Sequence, residues 1–129
     1  LGYLDIPLAE LYNKKKSGNP GFDFHSQSLD EVIIFGEAKY LDDRNAYGSG
    51  LKQIVRFISD KKDIKDLADL RDFCSQNALS SVSKGTKGFA VAFSTKSTPS
   101  DTLVSNIIKN KDFTSLLQYQ EIIIVAVNI

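Results

Sequence analysis

The sequence contains no methionine and no tryptophan, a single cysteine and three prolines. One thiol, Cys74, excludes a disulfide framework within the chain and any cysteine-rich metal site, and it suits a reducing compartment. One histidine, His25, excludes a histidine-based zinc centre. No apolar run approaches the ~20 residues that span a bilayer, and no basic segment followed by an apolar block opens the chain. The expectation is therefore a cytoplasmic protein with no membrane partner. An excess of either charge is also missing, since 16 basic residues balance 16 acidic ones. No global field draws the chain toward a polyanion, so a nucleic-acid partner would have to be held by a local patch. A glycine-rich phosphate loop is absent too, because Gly48-Ser49-Gly50 lacks the lysine and spacing of a Walker motif.

What is present reads as one folded domain. Apolar residues make up 42% and charged residues 25% of 129, with no low-complexity tract, which is enough for one hydrophobic core and too little for two. The lack of methionine, even at residue 1, sets the further expectation that residues 1–129 are a single domain of a longer protein. Ile6 to Tyr12 suits a short helix with Asp5 as its cap, followed by the basic Lys14 to Lys16 at its end. In "GFDFHSQ", Phe22 and Phe24 alternate with Asp23 and His25, as in a half-buried strand. A tight connection at Ser28 to Asp30 leads into a second strand, Glu31 to Tyr40, and favours an antiparallel hairpin.

Helical spacing follows from about Ser49, as N-cap, to Asp60, through Leu51, Ile54, Val55 and Ile58. A second helix, capped by Asp63, is expected through Ile64, Leu67, Leu70, Phe73 and Cys74. "FAVAFS" reads as a compact strand, and Pro99, Ser100 and Asp101 start a helix that breaks near Asn110 and resumes before Tyr119. "EIIIVAV" lacks polar alternation and is expected to be covered on both faces, joined to the preceding strand by a right-handed parallel crossover. The expected fold class is α/β: a mixed central sheet, made of an antiparallel hairpin and parallel crossover strands, flanked by helices.

One stretch asks for more than a fold. Along a single face of the second strand, Ile33 and Phe35 are followed by Glu37 and Lys39. Charged side chains at the inner end of a central strand need a metal, a counter-charge or a solvated cleft. The hairpin register brings Asp23 beside that face. Two carboxylates with a backbone carbonyl suit a hard cation such as Mg²⁺, with room left for a phosphate oxygen. An ordinary strand-end ion pair for Glu37 and Lys39, and a turn role for Asp23, remain the plainer readings. His25 reads either as an ordinary strand residue or as a group near the phosphate. Lys52 and Arg56, one turn apart, fit phosphate contacts as well as they fit a solvated helix face.

Asp23 followed by Glu37-Ala38-Lys39 after an apolar strand, and then a helix, resembles the PD-(D/E)xK, or restriction-endonuclease-like, nuclease superfamily, and the order of elements extends the likeness over nearly the whole chain. The resemblance implies Mg²⁺ or Mn²⁺ held by Asp23, Glu37 and the Ala38 carbonyl, with Lys39 orienting or deprotonating the attacking water. Gly21-Phe22-Asp23 looks like the acidic motif of the RecB-like branch. Gln53 with Phe57 is similar to its glutamine motif, with Phe57 where tyrosine is usual, and Gln53 would join the catalytic set. Glu10 stands where some members place another metal-binding acid. The literal Pro-Asp pair is missing, since Pro20 precedes Asp23 by three positions. "GFDFH" with "IIFGEAKY" is also similar to the nuclease portion of anti-phage defence proteins of the Hachiman type, which implies a helicase or other protein subunit as partner. The implied function is hydrolysis of phosphodiester bonds in DNA or RNA by metal-activated water. The alternative is a catalytically inactive module of the same fold that binds nucleic acid or a protein. A flavodoxin-like domain is disfavoured by the early hairpin, because doubly wound folds alternate strand and helix from the start.

Overall fold

A computed structural model describes residues 4–5, 21–40, 45–95 and 100–128. Within these, five strands form one mixed sheet in sequential order: β1 (Leu4–Asp5), β2 (Phe24–Gln27), β3 (Ile33–Lys39), β4 (Gly88–Thr95) and β5 (Glu121–Asn128). The β1–β2 and β2–β3 pairs are antiparallel, whereas β3–β4 and β4–β5 are parallel. Five helices accompany them: α1 (Ala46–Ser59), α2 (Lys62–Leu70), α3 (Gln76–Val82), α4 (Asp101–Lys109) and α5 (Lys111–Leu116). The helix expected over Ile6–Tyr12, Glu10 within it, and Lys14 to Lys16 lie outside the described residues. Asp5, expected as that helix's cap, stands in β1 opposite Ser26.

The hairpin between β2 and β3 closes as its residues dictate. The Ser28 and Glu31 amides donate to the Val32 and Ser28 carbonyls at 2.9 and 3.0 Å, the Val32 amide donates to Ser28 Oγ, and Glu31 takes a φ of 61°. Phe22 and Phe24 do not share a face, contrary to their alternation. The chain bends at Asp23, so Phe22 enters the main core while Phe24 joins the smaller cluster on the opposite face.

The main core lies between the helices and the sheet face carrying Ile33, Phe35, Phe89, Val91 and Phe93. Every described helix contributes buried residues to it. Phe22 sits at its centre, with ring centroids 5.2 Å from both Phe35 and Phe57, and Phe35 lies 5.9 Å from Phe89, within the range where aromatic pairs attract. On the opposite face Val32, Ile34 and Ala90 cluster with Phe24 and Ile123.

The α1 helix starts earlier than its apolar spacing suggests, at Ala46 after Asn45, so Ser49 lies inside it. Asn45, at its N-cap position, makes no side-chain capping bond, so no capping signal marks this start. α2 ends at Leu70 rather than running through Phe73 and Cys74; Ser75 then caps α3 by accepting from the Ala78 amide. Asp63 does not cap α2. It lies in the first turn and is buried. At the other end of the chain Ser100 caps α4 and Asn110 caps α5, both through side-chain oxygens on backbone amides. β5 is an edge strand with Val125 43% exposed, so an uninterrupted apolar run did not mean a strand covered on both faces.

Candidate functional site

The β2–β3 register sets the site. Phe24 pairs with Gly36 and His25 with Phe35, so the bend at Asp23 falls beside the Glu37–Lys39 end of β3. Two hydrogen bonds hold it there: the Asp23 amide donates to the Gly36 carbonyl at 2.8 Å, and the Ala38 amide donates to Asp23 Oδ2 at 3.0 Å. The carboxylate is thus turned toward β3 by a backbone donor. On the opposite face Gly36 leaves room for the Phe24 ring, since a Cβ there would fall 2.1 Å from it.

Glu37 points into the helix-covered face and is 1% exposed. Neither carboxyl oxygen has a hydrogen-bond partner among the described residues. Burial, and secondarily the neighbouring Asp23 charge, push its pKa from 4.5 up to about 8, against the opposing pull of Lys39. A lone ionised carboxylate in this position would be strongly disfavoured, so it carries a proton or needs a cation.

Lys39 is partly buried, and its stem runs beneath α1: a Cβ on Gly50 would lie 3.4 Å from Lys39 Cγ and 2.7 Å from Val91 Cγ1. The glycine lets α1 pass directly over the charged end of β3. Gln53 follows one turn later on the same helix and is partly buried, while Lys52 and Arg56 are exposed, with the Arg56 guanidinium 5.8 Å from the centre of the Phe57 ring.

Asp23, Glu37, Ala38 and Lys39 are therefore gathered at one end of the sheet, with the helix bearing Gln53, Lys52 and Arg56 alongside. Glu10 lies outside the described residues. Among those residues no cluster of three or more His, Cys, Asp or Glu side chains forms, so the acidic set is the Asp23–Glu37 pair. Two acids leave most positions around a hard cation to backbone carbonyl and water, as Mg²⁺ tolerates. The β2–β3 ladder stops at Phe24–Gly36, two residues short of Ala38.

His25 is placed differently from a group that meets a phosphate. It is fully buried, its Nε2 lies 2.9 Å from Asp66 Oδ2, and its ring packs edge-on against Phe35. Its strand face is the core face, so a polar residue there needs an interior partner. Sequence reasoning missed that partner, together with the ion pair between Asp63 and Lys87. Asp63 and Asp66 stand one turn apart on a helix rich in charge, a spacing that fits a solvated face equally well.

No family model matches the chain, and neither does any curated protein or solved structure compared with it. Among the described residues no helix is long and apolar enough to cross a membrane.

Proposed function

We propose that the protein is a metal-dependent nuclease of the restriction-endonuclease-like type, hydrolysing phosphodiester bonds of DNA or RNA at the end of β3. The observation that carries this reading is Glu37: a carboxyl only 1% exposed, both oxygens without a donor among the described residues, beside a second carboxylate and an ammonium. Such a group is costly as a structural element and well suited as an oxygen ligand. Asp23, Glu37 and the Ala38 carbonyl would hold Mg²⁺ or Mn²⁺. When bound, the ion would offset charge on the phosphoryl group and ease deprotonation of water.

The remaining work falls to the chain itself. Asp23 is held toward β3 by the Ala38 amide on its Oδ2, so Oδ1 could serve as a ligand without the backbone shifting. Lys39, on the same strand face as Glu37, orients the attacking water and assists its deprotonation. Gln53, partly buried on α1 one turn after Gly50, would line the site, and Lys52 and Arg56 on that helix would attract the phosphate backbone at positions that carry no base information. A helicase or another subunit would bring the substrate to the site.

Plasmid nicking tests the reading. Wild-type protein should nick DNA with Mg²⁺ and lose the activity in Glu37→Gln and Lys39→Ala variants that keep the wild-type circular dichroism spectrum. Equal nicking by the variants removes the proposal. Nucleic-acid binding with no cleavage and no metal uptake would instead identify the non-catalytic module.

A further inference from the structure

Two of the three buried residues of α2 are carboxylates, Asp63 and Asp66, the third being Leu70. An apolar face would dock a helix at lower desolvation cost, so acids in these positions call for a reason beyond stability. Asp63 pairs with the Lys87 ammonium, which lies 5.4 Å from the centre of the Tyr119 ring, and the Lys87 carbonyl accepts from the Gln120 amide. That contact ties α2 to the strands β4 and β5. Asp66 does something else.

Its Oδ2 accepts from His25 Nε2 at 2.9 Å. Its Oδ1 lies against Gly21, where a Cβ would come within 3.1 Å. Gly21 and His25 stand two residues before and two residues after Asp23. One carboxylate, 7% exposed, therefore bonds the chain just after the bend that carries the candidate ligand and stands close enough before it that Gly21 has little room for a Cβ. The bend itself has left the β2–β3 ladder and is otherwise fixed by the two hydrogen bonds to Gly36 and Ala38. Rotation of the segment by one residue would send Asp23 to the face occupied by Phe24.

We propose that Asp66 is a positioning residue that holds residues 21–25 through its bond to His25, with Gly21 fitted closely beside its other oxygen, and so aims Asp23 at the pocket of Glu37. The value of this aim for metal binding rests on the nuclease reading above; the geometric claim does not. Ionic docking of α2 serves it because a buried pair fixes register where aliphatic contacts would permit sliding. His25, which looked like a candidate for the phosphate, then serves the site from beneath.

Hydrogen exchange at the Ala38 amide reports the aim directly, since that amide donates to Asp23 Oδ2. Asp66→Ala should lower Ala38 protection by about tenfold more than protection at the β4–β5 amides, the loss of roughly one hydrogen bond. Asp66→Asn, which keeps an oxygen for His25, should restore it. Asp63→Ala should lower protection of all these amides together. Mn²⁺ titration of the same proteins gives the second readout, with affinity expected to fall about tenfold in Asp66→Ala and to recover in Asp66→Asn. Should Asp66→Ala fail to fold, Gly21→Ala, which presses a methyl on Asp66 Oδ1, is expected to produce the same selective loss at Ala38. Ala38 protection that stays in step with the β4–β5 amides in Asp66→Ala or Gly21→Ala overturns the clamp, whether or not metal binds. Selective loss at Ala38 in a protein that takes up no Mn²⁺ would leave the clamp standing and defeat the metal reading alone.

Discussion

Removing the charge option from Glu37 should make the metal-free protein less sensitive to alkali. In the folded chain the carboxyl titrates at about 8, against 4.5 when unfolded, because it is buried beside Asp23. Between these values the folded state holds a proton that the unfolded state has released, so stability falls as pH rises through the window. It is fully present below 4.5 and lost on approach to about 8. With each pK unit worth about 1.4 kcal/mol, the loss between about pH 5 and about pH 8 is roughly 3 kcal/mol. Glu37→Gln mimics the protonated form and should abolish this component, so the stability difference between variant and wild type should grow by that amount over the interval. Urea denaturation in EDTA, monitored by circular dichroism, measures it, and the comparison cancels the other titrating groups. Parallel pH profiles for the two proteins would refute the claim that Glu37 is a buried carboxyl held neutral by its surroundings. A saturating divalent cation should stabilise wild type at about pH 8 and leave Glu37→Gln unchanged.

Other consequences follow from the same geometry. Metal uptake by the Asp23–Glu37 pair must displace the proton on Glu37, so below about pH 8 calorimetry in buffers of different ionisation enthalpy should record release of about one proton per ion, with affinity rising toward that pH. Uptake without proton release would contradict the arrangement. Gly50→Ala puts a methyl 2.7 Å from Val91 and against the Lys39 stem, which should cost about 1–3 kcal/mol and reduce nicking, as judged by denaturation and activity together. Gly36→Ala drives a methyl into the Phe24 ring and should cost a similar amount, visible as a lowered Tm. Lys52→Ala and Arg56→Ala should each weaken binding of DNA oligonucleotides regardless of sequence and reduce the salt slope by about one, read from fluorescence anisotropy at several salt concentrations.

Much of the sheet was legible because its signals are local. The apolar block from Val32 to Phe35 and the run in "FAVAFS" gave β3 and β4, and the short link at Ser28 to Asp30 gave the antiparallel hairpin. Ser100 announced its helix because capping side chains act on neighbouring amides, and Asn110, expected only as a break, caps the helix that follows it. Proximity of Asp23 to the face of Glu37 followed from the register. What failed depends on tertiary context. The bend at Asp23 breaks period-two alternation, so Phe22 and Phe24 part. α2 stops at Leu70 with no glycine or proline to mark the end, and α3 is too short for its periodicity to be read. β5 has the composition of an interior strand at an edge position. Asp63 was expected only as a helix cap and Asp66 drew no expectation, because pattern alone does not reveal that Lys87 and His25 wait opposite them.

The central claim is that Asp23 and Glu37 share one divalent cation, and anomalous diffraction from crystals soaked in Mn²⁺ tests it most directly. A single strong peak is expected within about 2–2.5 Å of a carboxyl oxygen of each residue, absent from Glu37→Gln crystals treated alike. A peak elsewhere, or none beside Glu37 at saturating Mn²⁺ above about pH 8, would contradict it.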